Sequence, residues 1–282
     1  MSLNKIGNFI GFDESFDEAK LVIFGAPFDG TTSFRPGTRF GPNVMRLESD
    51  GIETYSPYLE KDLEDYKLHD AGDLDFPFGN RDEILKVIEN YTRTLINHKK
   101  IPFMIGGEHL VSYPAVKAVF DKYKDLKIIH LDAHADLRQD YLGEKLSHAT
   151  VMRRIWDLVG DNKIYQFGIR SGEREEFNWA KEHVYMQKFN IDGVEDLISS
   201  IGENPVYITI DLDVLDPSIF PGTGTPEAGG VTFKELLKAI QVFEGLNIVG
   251  ADIVELSPHY DQTGVSTAVA CKVLRELVLA IL

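Results

Sequence analysis

The 282-residue chain contains one cysteine, Cys271. A single thiol excludes an internal disulfide and fits a reducing compartment, so a cytoplasmic location is expected. Cys271 lies in the apolar stretch 267–282 with no base motif beside it, and reads as a buried, inert thiol. Positive charge is also scarce: 29 lysines and arginines stand against 45 aspartates and glutamates, a net charge of −16. Nucleic-acid binding wants a basic face, so none is expected. An acidic field suits a cationic substrate or metal ions, and equally a plain soluble surface. Residues 1–17 lack a basic-then-apolar leader pattern, and no apolar run approaches membrane-spanning length, so no membrane partner is expected. There is no Gly-x-Ser-x-Gly elbow, which argues against serine-hydrolase chemistry. Nor is there a repeat, a low-complexity tract or a linker, so residues 1–282 read as one domain.

What is present is a regular alternation. Short apolar runs at 20–27, 101–105, 125–131, 163–168, 206–210 and 247–256 read as buried strands. Helical patterns at 43–49, 80–99, 111–123, 173–181, 194–201, 232–244 and 264–281 fall between and after them. Asn80 and Thr232 stand as N-caps, and Ile84, Ile88, Tyr91 and Leu95 form one inner stripe. Strands alternating with helices predict an α/β fold with a mostly parallel sheet covered on both faces. Gly/Pro-punctuated loops occupy 28–42 and 217–230.

Ligands of such sheets bind beyond the carboxyl ends of the strands. His130-Leu-Asp132-Ala-His134-Ala-Asp136 follows one strand. In extended chain Asp132, His134 and Asp136 share a face. Alone, the stretch admits a metal site or an acidic surface turn. Other strand ends carry His109, Asp211 with Asp213, and Glu255. Two histidines and four aspartates without a thiolate suit hard or borderline divalent ions. Six donors exceed the needs of one ion with an open position, so two ions are expected, manganese first, activating water in a hydrolase. His130 reads as pointing away from the ligand face, a satisfied core histidine or one behind the ligands. Asp216, before Pro217, reads as a turn acid. Glu108 stays outside the ligand set. His69, His98, His183 and His259 read as structural or solvated.

The blocks Gly106-Gly-Glu-His109, Leu131-Asp-Ala-His-Ala-Asp136, Ser147-His148, Asp211-Leu-Asp-Val-Leu-Asp216-Pro217 and Glu255-Leu-Ser-Pro258 together resemble the ureohydrolases, the arginase and agmatinase family. Phe28-Asp-Gly30, Arg35-Pro-Gly-Thr-Arg-Phe-Gly-Pro42 and the 220–230 loop look like the agmatinase branch. The resemblance implies a three-layer α/β/α arginase-like fold with a central, mostly parallel sheet. It implies that His109, Asp132, Asp136 and Asp211 hold one manganese, and that His134, Asp132, Asp211 and Asp213 hold the other. A bridging hydroxide, oriented by Asp136, is to attack the guanidinium carbon held by Glu255, with His148 as proton shuttle. The implied substrate is agmatine, giving putrescine and urea in polyamine synthesis, because 137–146 lacks the Asn/Ser-rich arginase signature. Guanidinobutyrate, aminopropylagmatine, arginine or formimidoylglutamate remain as alternatives, as does a non-catalytic metal-binding homologue. An acidic residue is expected near the substrate amine. Arg138 reads as an exposed loop arginine, with a carboxylate-accepting cation as its alternative. A homo-oligomer, trimer or hexamer, is also implied.

Overall fold

The computed structural model describes residues 3–4 and 7–282, so part of the stretch 1–17, expected to carry no leader pattern, lies outside the described residues. In chain order the strands are β1 (Leu3–Asn4), β2 (Leu21–Ala26), β3 (Tyr55–Ser56), β4 (Lys61–Asp62), β5 (Leu68–Leu74), β6 (Ile101–Gly106), β7 (Lys127–Leu131), β8 (Ile164–Ile169), β9 (Tyr185–Lys188), β10 (Val206–Asp211) and β11 (Ile248–Val254). The helices are α1 (Gly41–Glu48), α2 (Arg81–Asn97), α3 (Ser112–Lys122), α4 (Val151–Val159), α5 (Arg174–His183), α6 (Val194–Ile201), α7 (Phe233–Val242) and α8 (Val265–Ile281). Nine strands form one sheet in the order β1-β5-β2-β6-β11-β10-β7-β8-β9, and β3 pairs with β4 apart from it. Within the sheet β1 runs antiparallel to β5, while the other neighbours are parallel.

Period-two alternation along the strands creates the layers. Ile23, Phe103, Ile129, Ile208 and Ile253 enter one core with residues of α1, α6, α7 and α8. Val22, Phe24, Met104, Ile128, Tyr207 and Val254 enter the other, with α2, α3 and α4. Each buried Leu, Ile, Val or Phe contributes about 1.5–3 kcal/mol, so the two cores carry the fold. The expected stripe of α2 is buried throughout, and the Asn80 side chain caps its start by accepting from Glu83 N at 3.2 Å. Thr232 and Glu235 form a reciprocal capping box on α7.

Two expectations shift. The first helix begins at Gly41 rather than residue 43, because Pro42 stands in its first turn, where a missing N–H costs nothing. The two-residue strands β1, β3 and β4 were not expected, since so short a segment has no period to read. Cys271 is buried, its thiol pushed up to about 12 mainly by burial, as an inert packing residue requires. Among the described residues no helix is long and apolar enough to cross a membrane.

Candidate active site

Four consecutive strands, β6, β11, β10 and β7, end side by side, and each end delivers chemistry. His109 follows β6, Glu255 follows β11, Asp211 ends β10 with Asp213 just beyond, and Asp132, His134 and Asp136 follow β7. The extended picture of the last three is only partly right. Past Leu131 the chain stays bonded beside β8, with Ala135 N donating to Ser171 O, and then turns at Asp136 into the left-handed region at φ 53°. Glu255 is left-handed too, at φ 67°. A non-glycine there costs about 1–3 kcal/mol and persists where surrounding structure enforces it, which is common at functional sites.

The six expected metal ligands converge. His109 Nδ1 lies 3.1 Å from Asp132 Oδ2, 3.2 Å from Asp136 Oδ2 and 3.5 Å from Asp211 Oδ2. His134 Nδ1 lies 3.5 Å from Asp132 Oδ1 and 3.0 Å from Asp213 Oδ2. Asp132 thus faces one group with each oxygen. Two sets of donors close enough to hold a cation result, His109, His130, Asp132 and Asp136 in one and Asp132, His134 and Asp213 in the other; Asp132 belongs to both, and Asp211 adjoins the first through His109.

The hydrogen bonds behind the cluster set its donors. Thr209 Oγ1 donates to Asp252 Oδ1 at 2.6 Å, so it accepts from His109 Nε2 at 2.9 Å. Nε2 therefore carries the proton, and Nδ1 presents a lone pair to three carboxylates. Among the described residues this buried Nδ1 has no hydrogen-bond partner of its own. Burial opposes charging His109, yet Asp132, Asp136 and Asp211 raise its pKa well above the usual value. Burial, then Asp213 and Asp132, push Asp211 well up; burial and Asp132 bring Asp136 to about 7. Crowded buried carboxylates around an orphaned imidazole nitrogen demand a cation. An oxygen-rich, thiolate-free donor set in two overlapping groups fits a binuclear centre of hard or borderline ions.

His130 corrects the sequence reading. It does not point away: positions 130 and 132 share a face, and His130 Nε2 stands 2.8 Å from Asp132 Oδ2. Its Nδ1 accepts from Gln166 Nε2 at 2.9 Å, so both ring nitrogens are used and neither is left for a metal. It acts on the cluster by orienting Asp132, as the other half of that reading held.

A cleft over the cluster is lined by His109, His134, Asp136, Asp211 and Glu255 below, and by His148, Arg138, Tyr141, Glu173 and Glu176 above. Glu255 Oε1 accepts from His109 N at 2.8 Å, and burial, then Glu108, raise its pKa well above the ordinary range. A cationic guest reverses that penalty. His148, the first residue of the turn that Ser147 and Thr150 cap, is brought down to about 4 by burial and by His134, so it is neutral near pH 7. Asp216 sits away from the cluster, tying the 217–230 loop through Ser218, Gly229 and Gly230.

Sequence reasoning missed Glu173. It follows β8 by four residues as the N-cap of α5, beyond the strand end itself. Its Oε1 lies 3.1 Å from Arg138, whose guanidinium also stands 4.8 Å from the Tyr141 ring centre. Arg138 is therefore neither a plain loop arginine nor a free anion receptor. Glu176 accepts from Leu137 N and Glu173 N and lies 3.6 Å from Arg138 Nε, so Arg138 is shared between the two glutamates.

The arginase family profile matches residues 19–280. The agmatinase of Bacillus cereus is 50% identical over 275 residues, covering 96% of this chain and 95% of that protein. A crystal structure from Clostridium difficile superposes with a TM-score of 0.93 at 55% identity, covering 95% of this chain and 98% of the other. The agmatine ureohydrolase of Thermoplasma volcanium superposes at 0.89 with 32% identity, covering 99% and 95%. Matching along nearly its whole length, with the same three-layer architecture, the chain belongs to the arginase family.

Proposed function

We propose that this protein is an agmatinase, hydrolysing agmatine to putrescine and urea with two manganese ions per subunit. The observation that carries the reading is Glu255: a buried carboxylate opening on the cleft beside a paired His/Asp cluster. A planar guanidinium fork matches a carboxylate through charge-assisted hydrogen bonds. His109, Asp132, Asp136 and Asp211 would hold one ion, and His134, Asp132, Asp211 and Asp213 the other. When bound, the ions supply a water acidic enough to attack at neutral pH. Glu255 binds and orients the guanidinium, Asp136 orients the attacking water, and neutral His148 moves a proton to the leaving nitrogen.

Glu173 supports agmatine over substrates with an acidic tail. Its half-exposed carboxylate stands at the outer wall and can exchange its contact with Arg138 for an ammonium. The likeness to agmatinases in sequence supports the same reading. The resemblance to the family supports a homo-oligomer, trimer or hexamer, and the single cysteine supports a cytoplasmic setting. Urea release from agmatine, guanidinobutyrate, arginine and formimidoylglutamate, with added manganese, tests the substrate. Agmatine should lead by kcat/KM; a lead for any other compound would replace it.

A further inference from the structure

We propose that Glu108 is a positioning residue: acting through Thr31, it fixes which ring nitrogen of His148 carries the proton and which lone pair is turned to the substrate. The proposal rests on the hydrolase reading above and adds two residues to it.

Glu108 is buried, and its carboxylate bonds Thr31 of the 28–42 loop. Both of its oxygens accept from Thr31. Oε2 accepts from Thr31 N at 2.8 Å, and Oε1 accepts from Thr31 Oγ1 at 2.5 Å. With Glu108 ionised and taking its proton, the Thr31 hydroxyl can only accept from His148. It accepts from His148 N at 3.1 Å and stands 3.4 Å from His148 Nδ1. The network therefore assigns the ring proton to Nδ1 and the lone pair to Nε2. Nε2 stands 3.3 Å from Ser33 Oγ, which lines the same cleft.

That assignment has a chemical use. In guanidinium hydrolysis both protons of the attacking water end on the leaving nitrogen, which departs as an ammonium as its C–N bond breaks; the oxygen stays in urea. A neutral His148 with its Nε2 lone pair open to the cleft can accept one of those protons and deliver it from the same atom. The opposite tautomer would present an N–H and could accept nothing there.

The backbone explains why Glu108 is placed to do this. Glu108 N donates to Phe28 O at 2.8 Å. A Cβ on Gly107 would lie 2.0 Å from that oxygen, so only glycine lets the 28–42 loop approach so closely. Gly107 O accepts from Glu255 N at 2.9 Å. One turn thus locates His109, Glu255 and, through Glu108 and Thr31, His148.

The test is a double-mutant cycle on the manganese-loaded protein with agmatine. Thr31→Val removes the hydroxyl at constant shape. It should lower kcat about 10- to 100-fold, part of what general acid–base catalysis supplies, with KM within about threefold and metal content unchanged. Thr31→Ser should restore kcat to within about threefold of wild type. In a His148→Asn background Thr31→Val should cost nothing further, because its effect runs through that imidazole. Glu108→Gln can donate to Thr31 and reverse the sense of the chain, so it should match Thr31→Val; should it lose its fold, Thr31→Val carries the test alone. Full kcat in Thr31→Val, or equal losses in the His148→Asn and wild-type backgrounds, would overturn the proposal. A wild-type protein that hydrolyses no guanidino or formimino compound would instead overturn the functional reading beneath it.

Discussion

The floor and the rim of the cleft are built by different rules. The floor residues His109, Asp132, Asp211 and Asp213 are buried, and they stand at or just past the ends of β6, β7 and β10. Their supports come from the sheet itself: Thr209 and Asp252 behind His109, His130 and Gln166 behind Asp132. The rim residues Thr31, Ser33, Arg138, His148 and Glu173 come from loops and helix starts scattered over the chain, and they are half-buried or exposed. A sheet can hold several like charges at fixed spacing around a cation; loops can exchange partners and admit a substrate. The floor should therefore govern metal retention and the rim turnover and specificity.

Substitutions can separate the two. The largest effect is expected from Asp132→Asn, which removes the charge shared by both donor groups. Urea release should fall to background and metal analysis should show lost ions; two retained ions with full activity would break the division. Next is His148→Asn on the rim, with kcat reduced about 10²- to 10⁴-fold and metal content unchanged. Asp252→Asn probes the floor from behind. Loss of the carboxylate that orients Thr209, and through it His109, should weaken metal affinity about 10- to 100-fold in a metal titration, while kcat at saturating metal stays near wild type. Glu173→Gln should raise KM for agmatine about two- to fivefold, the worth of a half-exposed ion pair, and leave kcat and metal content alone. The smallest effect concerns neither floor nor rim. Hydrogen bonds from Ser218 and the Gly229–Gly230 backbone hold Asp216 down to about 2 from an ordinary 3.8. A depressed carboxylate stabilises above its unfolded pKa and ceases to as pH falls through the folded one. The melting-temperature gap between wild type and Asp216→Asn should hold from pH 7 to about 4 and close toward pH 2.

The same division explains what could be read from sequence. Acids and imidazoles spaced by two after apolar runs announced the floor, because a strand end fixes direction. The helices were readable where caps and periodicity agreed, as at Asn80 and Thr232. His130 was misread although the period-two rule applied to it as well. Glu173 was invisible because α5's cap lies beyond the strand end, and a glutamate opening a helix is common for capping alone. Glu108 sat in a quoted motif, yet its partner Thr31 lies 77 positions away, and no local pattern encodes that distance.

The placement of β11 has a consequence for how the protein is made. It is the last strand in sequence, yet it lies between β6 and β10 and joins β5-β2-β6 to β10-β7-β8-β9. A growing chain must hold two half-sheets with open inner edges until residues 248–254 emerge and insert between them. Such edges invite pairing with other chains. Glu255 arrives with that same insertion, so the residue proposed to grip the substrate and the closure of the sheet come in one late event.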